Sequence, residues 1–164
     1  MRLPCRIAAI AMLALTLGAA MVACNDTSCY ENGSSLPLAA LYVGDSQQTI
    51  GGITVMGIGA PGDSLILDSA TVKEVYLPLR ASVTTTSYEL RRWLVNGSER
   101  AWYRDTITID YQPIEYFQSI ECGAMFNFQV SRVNHTSHII DSVVVITPLI
   151  TNKRTPAVRI HFAR

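Results

Sequence analysis

The chain has 164 residues, 49% hydrophobic and 16% charged, with 13 Lys+Arg against 13 Asp+Glu. That length suits one domain with its own core, and no second domain is expected. The even charge balance gives no indication of a nucleic-acid-binding surface or a polybasic membrane patch, and neither partner is expected.

Arg2 and Arg6 precede Ile7–Ala23, which carries no charge and ends in small residues. Basic residues followed by an apolar run are the layout of a bacterial export signal, so residues 1–23 are set aside from fold reasoning. Read instead as a membrane span, the run sits at the short limit of about 17 residues and holds Thr16 and Gly18 inside it. Met21-Val22-Ala23-Cys24 closes the run and resembles the lipobox of bacterial lipoproteins, with Met21 where Leu is more usual. The resemblance implies a diacylglycerol thioether on Cys24, cleavage before it, and a further acyl chain on the freed amine. Two or more chains hold a protein stably to a membrane. The alternative is a secreted protein cut near Ala20 or Ala23, with Cys24 free or paired to Cys29.

Without Arg2 and Arg6 the balance becomes 11 basic residues against 13 acidic. Cys5 leaves with the signal and Cys24 is the lipid candidate. Cys29 and Cys122 then remain as a pair in a compartment that permits disulfides. A bond between them closes a loop of 93 residues, for which chain entropy predicts about 4–5 kcal/mol less any strain. Two reduced thiols are the other possibility. Residues 24–36 form the lipidated N-terminus and a polar tether, with a turn signal at Asn32-Gly33. The domain proper is assigned to residues 37–164.

From Leu38 onward, short apolar or alternating runs are broken by Gly, Pro, Asn and Asp, the pattern of consecutive strands. The expected strands are Leu38–Val43, Ile53–Ile58, Ser64–Leu67, Val72–Leu79 and Ser87–Val95, then Arg100–Tyr111, Phe117–Glu121, Met125–Val133, Ile139–Thr147 and Val158–Phe162. So many strands imply two packed sheets, an all-β sandwich of Ig-like or jelly-roll-like type. Alternation places Ile107, Ile109 and Tyr111 inward, with Phe126, Phe128, Val130, Val158, Ile160 and Phe162. The continuous run Ser142–Ile146 predicts a central strand covered on both faces.

Gly57–Gly62 reads GIGAPG and matches a dinucleotide-binding fingerprint, but Pro61-Gly62-Asp63 makes a turn where a helix N-terminus is required. A hairpin connection is expected there, and no nucleotide. Asn96-Gly97, between apolar-aromatic runs, is a strong hairpin signal. A two-residue turn there sets Val95 opposite Ser98, Trp93 opposite Arg100 and Arg91 opposite Trp102. Parity then puts Trp93 and Trp102 outward among Arg91, Arg100 and Arg104, opposite an inward set of Tyr88, Leu90, Leu94 and Tyr103. Cation–π stacking on this face is worth about 0.5–2 kcal/mol per contact. The face is therefore either a self-satisfied ladder or an aromatic–arginine platform for a glycan or protein.

His135 and His138 flank a turn, and His161 points outward from its strand. Their spacing does not match a zinc site, and neither Cys29 nor Cys122 belongs to a CxxC pair. No GxSxG and no calcium loop occurs, so no catalytic residue, metal or cofactor is expected. Asp63-Ser64-Leu65, Asp68-Ser69-Ala70, Asp105-Thr106-Ile107 and Asp141-Ser142-Val143 look like the O-glycosylation acceptors of Bacteroides-like bacteria. Ordinary turn and strand-edge chemistry is the plainer account.

YLPL at 76–79, DTITIDY at 105–111, SIECG at 119–123 and HIIDSVVVITPLIT at 138–151, behind the lipobox, together resemble an uncharacterised lipoprotein family of Bacteroidota. The resemblance implies a small envelope lipoprotein domain of unknown function, and it carries over no catalytic residue. The expectation is a non-catalytic binding or scaffolding module, lipid-anchored in the cell envelope, at the periplasmic or outer face of the outer membrane. Its partner would be an envelope protein or glycan. A glycan or peptide hydrolase and a strand-exchanging fimbria-like subunit are the alternatives.

Overall fold

The computed structural model describes residues 35–60, 64–96, 99–120 and 122–163. The expected signal segment, Cys24, Cys29 and the turns at Asn32-Gly33 and Pro61–Asp63 lie outside the described residues. Among those described are eleven strands: β1 (Leu38–Val43), β2 (Ser46–Gln47), β3 (Ile50–Ile58), β4 (Leu65–Val72), β5 (Glu74–Tyr76), β6 (Thr85–Asn96), β7 (Glu99–Ser119), β8 (Gly123–His135), β9 (Ile140–Val145), β10 (Leu149–Ile150) and β11 (Pro156–Phe162). They form two packed sheets, the expected all-β sandwich. One sheet runs β2-β1-β11-β9 with β5 also on β1, and the other runs β10-β8-β7-β6-β3-β4. The first and last strands, β1 and β11, pair parallel at the centre of the smaller sheet.

The core lies where the inward rows of both sheets meet. Ala39, Leu41, Val158, Ile160 and Phe162 from the smaller sheet face Ile53, Val55, Tyr88, Leu90, Ile107, Ile109 and Tyr111 from the larger. Period-2 alternation in DTITIDY, FNFQV and VRIHF anticipates these rows, since successive Cβ atoms leave a strand on opposite sides. Fully burying such a side chain contributes about 1.5–3 kcal/mol. Phe128 and Val130 are buried, and Phe126 packs at the core margin.

Three expectations need correcting. Val72–Leu79 is not one strand: β4 ends at Val72 in the larger sheet, and β5 begins at Glu74 in the smaller. The apolar run continues because both sheets need it, while the chain changes sheets at Lys73. Phe117–Glu121 is not separate either, because β7 runs unbroken from Glu99 to Ser119. Finally, Ser142–Ile146 is not central. Its strand, β9, is the edge of the smaller sheet, paired with β11 alone. Val143 and Val145 pack on the core, whereas Val144 is 46% and Ile146 41% exposed. A continuous valine run reports apolarity and β-branching, not how many strands flank it.

Two tyrosines hold the crossover between β5 and β6. The Tyr88 hydroxyl donates to the Pro78 carbonyl, and burial, the largest cause, pushes its pKa far above the ordinary phenol value. The Tyr111 hydroxyl donates to the Arg80 carbonyl at 2.9 Å, accepts from the Arg80 N–H at 3.0 Å and meets the Thr86 hydroxyl at 2.8 Å. Both rings are buried, so each hydroxyl needs these partners.

A later crossover, from β8 to β9, is held by Asp105. This carboxylate is 1% exposed. Its Oδ2 accepts from the N–H groups of Ile139 and Ile140 at 2.7 and 2.8 Å, and the His138 N–H lies 2.9 Å from both oxygens. Oδ1 accepts from the Thr136 hydroxyl and lies 2.9 Å from His138 Nδ1. Burial alone would raise the Asp105 carboxyl, but the bonds from Thr136 and the three N–H groups outweigh it and hold the pKa well below the ordinary value. Asp105 belongs to the inward row Tyr103, Asp105, Ile107, Ile109, and a carboxylate there must be satisfied locally or not buried at all.

Asp105→Ala leaves three backbone donors without this acceptor and should lower stability by at least about 3 kcal/mol, read by urea or thermal unfolding. Because the folded pKa is depressed, the Asp105 contribution is fully present above the unfolded value near 3.8 and is lost as pH falls below it. Asp105→Asn should therefore show a flatter melting temperature between pH 5 and 2 than the parent chain; equal slopes would contradict this role.

Candidate functional site

The outward face of the larger sheet carries the two tryptophans. β6 and β7 pair through twelve residue pairs, from Thr85↔Asp110 to Asn96↔Glu99. Trp93 faces Trp102, Arg91 faces Arg104 and Val95 faces Arg100. The register expected from an Asn96-Gly97 turn is thus two residues off, and residues 97 and 98 lie outside the described residues. Faces survive the error because a shift of two preserves side-chain parity. The long ladder and its inward row, not the dipeptide, set the register.

The expected Trp–Arg stacking is replaced. The indole rings meet edge to face, 5.2 Å between centroids at 63°. They remain 42% and 50% exposed, and Val95 beside them is 59% exposed. Arg91 Nε pairs with the Glu89 carboxylate two residues along its own strand. Among the described residues, the cation–π contact is elsewhere, Arg159 over Tyr42 at 5.3 Å. Once Trp93 sits opposite Trp102, the quadrupoles of the two rings satisfy each other and the guanidinium groups are left for other partners.

Arg91 directly opposite Arg104 is an unfavourable pair, since like charges across a ladder repel. Glu89 offsets Arg91. Among the described residues no carboxylate pairs with Arg104. Arg100, at the hairpin end, is exposed and belongs to the same face.

A groove of about 440 Å³ crosses this face, lined by Thr54 and Met56 of β3, Leu65, Asp68 and Ser69 of β4, Arg91 of β6, and Trp102 and Arg104 of β7. The β3–β4 ladder pairs Ile53 with Ala70 but Val55 with Leu67, so β4 holds one extra residue in a bulge. Ser69 adopts φ 45° there, its N–H donates to Thr54 Oγ1 at 3.1 Å, and both Asp68 and Ser69 are exposed. A bulge re-aims side chains without breaking the sheet. It turns Asp68 and Ser69 toward Arg104 and Trp102 across the groove. A serine at positive φ carries backbone strain, and the bond to Thr54 helps hold it there.

The sequence singled out Trp93, Trp102, Arg91, Arg100 and Arg104, and the sheet gathers them on one face. It missed Asp68, Ser69, Thr54 and Met56. β3 pairs with β6 and β4 only with β3, neighbours that no local pattern encodes, and one weak signal was available, the departure from strict alternation in LILDSA. The GIGAPG stretch joins antiparallel β3 to β4, with Met56 opposite Leu65, as expected of a hairpin. His161 Nδ1 lies 3.0 Å from the Gly44 carbonyl and its ring packs on Tyr42, while His138 serves Asp105. Among the described residues no three His, Cys, Asp or Glu side chains gather as a metal site. Of the carboxylates, Asp68 lines the groove, where glycoside hydrolysis by the usual route needs two.

Because Trp93 and Trp102 satisfy each other at the surface, truncating either to Ala should cost about 0.5–1.5 kcal/mol beyond the lost area. The double variant should cost less than the sum of the two. A double-mutant cycle by urea unfolding measures this coupling, and strict additivity would mean that the edge contact contributes nothing.

Residues 52–162 match the Family of unknown function (DUF6452). No curated protein and no solved structure matches the chain. The matched span runs from β3 to the end of β11 and includes YLPL, DTITIDY, SIECG and HIIDSVVVITPLIT. It also takes in the whole groove and both tryptophans. The chain therefore belongs to this family of unknown function, and the family comparison assigns it neither a reaction nor a ligand.

Proposed function

We propose that the protein is a lipid-anchored module of the bacterial cell envelope, non-catalytic, that binds an acidic glycan segment along the groove beside Trp102. The observation that carries this reading is the company Trp102 keeps. A half-exposed indole face, a bulge offering Asp68 and Ser69, and an Arg104 guanidinium opposed by Arg91 all border one concavity. A flat sugar face suits an indole, hydroxyls suit Asp68 and Ser69, and a carboxylate would relieve the repulsion between the two arginines.

Titrating the protein with uronate-containing oligosaccharides, followed by intrinsic tryptophan fluorescence, tests the binding role. Trp102→Ala and Arg104→Ala should each weaken binding by about tenfold or more, as central contacts do, and Arg104→Ala should do so with little loss of stability. Neutral oligosaccharides of the same length should bind more weakly. Equal affinity for both, or no effect of either substitution, would sink the acidic-glycan reading.

The anchor is proposed at Cys24 and the bridge between Cys29 and Cys122. Reach supports the bridge. Ser35 Oγ donates to Asn127 Oδ1 of β8 at 3.0 Å. Six residues back from Ser35, Cys29 can stray up to roughly 20 Å. Cys122 directly precedes β8, five residues from Asn127 and at most roughly 17 Å away. Cys24→Ala should abolish lipid labelling and release the protein from membranes; undiminished retention would refute the anchor. Non-reducing peptide mass spectrometry of envelope protein should find Cys29 linked to Cys122, and two alkylatable thiols would contradict it.

A further inference from the structure

The β7–β8 hairpin outgrows its sheet. β6 ends opposite Asp110, and β10 covers β8 only at Phe128 and Gln129. Beyond these points Ile114–Ser119 and Gly123–Asn127 have only each other as strand partners among the described residues, a two-stranded arm. Pro113 sits where β7 has become a free edge, the position in a sheet that tolerates a missing N–H. An isolated two-stranded ribbon is marginal in water.

The arm nevertheless exposes its apolar side chains. Ile114 is 42%, Phe117 69% and Ile120 89% exposed, and they increase toward the tip. Ile120 is the most exposed of the large hydrophobic side chains described. From Tyr111 to Ser131 the chain carries no Lys or Arg, so whatever the arm contacts it meets through its apolar side chains and not through cations. Tyr116 lies between the exposed Ile114 and Phe117. Aromatic side chains of this amphipathic kind favour the boundary between lipid and water.

Resting on the anchor and bridge proposed above, Cys24 lies five residues from Cys29, at most roughly 17 Å of extended chain from the arm's tip. The lipid and the most exposed apolar residues are then held together. We propose that Phe117 and Ile120 seat in the interfacial layer of the membrane that holds the Cys24 lipid, making the arm a second membrane contact. The same strand carries Trp102 fifteen residues away, up to roughly 50 Å along β7. Two points of attachment at one end orient the domain, with the groove beside Trp102 presented away from the bilayer.

The test uses the full chain in native membranes, with a photoreactive benzophenone side chain placed at position 117, 120 or, as control, 102. Phospholipid adducts found by mass spectrometry should exceed those at 102 by at least about tenfold at both 117 and 120, as burial of one such side chain supports. Protein adducts only, or equal lipid labelling at all three positions, would overturn the arm's role. Fractionation of the unlabelled chain separates the two claims. If the parent is not membrane-held, the anchor reading fails and the arm's role falls with it. If it is held by Cys24 but position 120 finds no lipid, the arm's role alone is wrong.

Discussion

The Asp105 carboxylate is the point on which the two sheets depend. A sandwich is stable only if the chain crosses between its sheets without leaving polar backbone groups unpaired in the interior. The crossover from β8 to β9 approaches the core at Ile139 and Ile140, both nearly fully buried, where their N–H groups need an acceptor. One carboxylate collects them together with His138 N–H and the Thr136 hydroxyl. Thr136 in turn accepts from the Thr106 N–H, so the knot reaches back into β7. The charged acceptor strengthens every bond it receives, which is why an ion can sit among Leu90, Ile107 and Ile139.

The tyrosines at the opposite crossover solve the same problem with neutral groups. Tyr111 both donates to and accepts from Arg80, and Tyr88 reaches Pro78. The connector over 77–84 thereby gains an anchor at each side without a strand of its own. The larger sheet supplies the anchoring side chains for these two of the chain's crossovers. β7 contributes Asp105 to one and Tyr111 to the other, so the two knots sit six residues apart on one strand and share the register that β6 and β8 impose on it. A slip of one residue in β7 would undo both.

What could be read from the chain followed from period-2 alternation. DTITIDY and VRIHF gave their faces correctly, because a half-buried strand writes its environment into every second residue. The tryptophan face was legible for the same reason, although the pairing partner was not. Alternation is blind to shifts of two, and only the ladder as a whole discriminates between them. Asp105 went unread because a polar residue in an inward row was passed over as part of a strand, when the row itself made it anomalous. The edge position of β9 and the sheet change at Lys73 depend on neighbours distant in sequence, which no local pattern encodes. The bulge at Asp68-Ser69 lies between these cases, since a break in alternation marks it but does not say what it faces.

The groove's electrostatics run against the consistency seen elsewhere. Core rows, crossover knots and the indole pair each satisfy their own needs within the fold. Arg91 opposite Arg104 does not, and neither does the left-handed Ser69 on an edge strand. Both weaken the free protein slightly, by repulsion in one case and backbone strain in the other. Local departures of this sort are expected where a surface is shaped for something outside the chain. That they coincide at one concavity, beside half-exposed Trp102, is what supports the binding role proposed for this face of the larger sheet over the smaller. There Tyr42 stacks on His161 under Arg159, and the aromatic and cationic groups are already spent on each other.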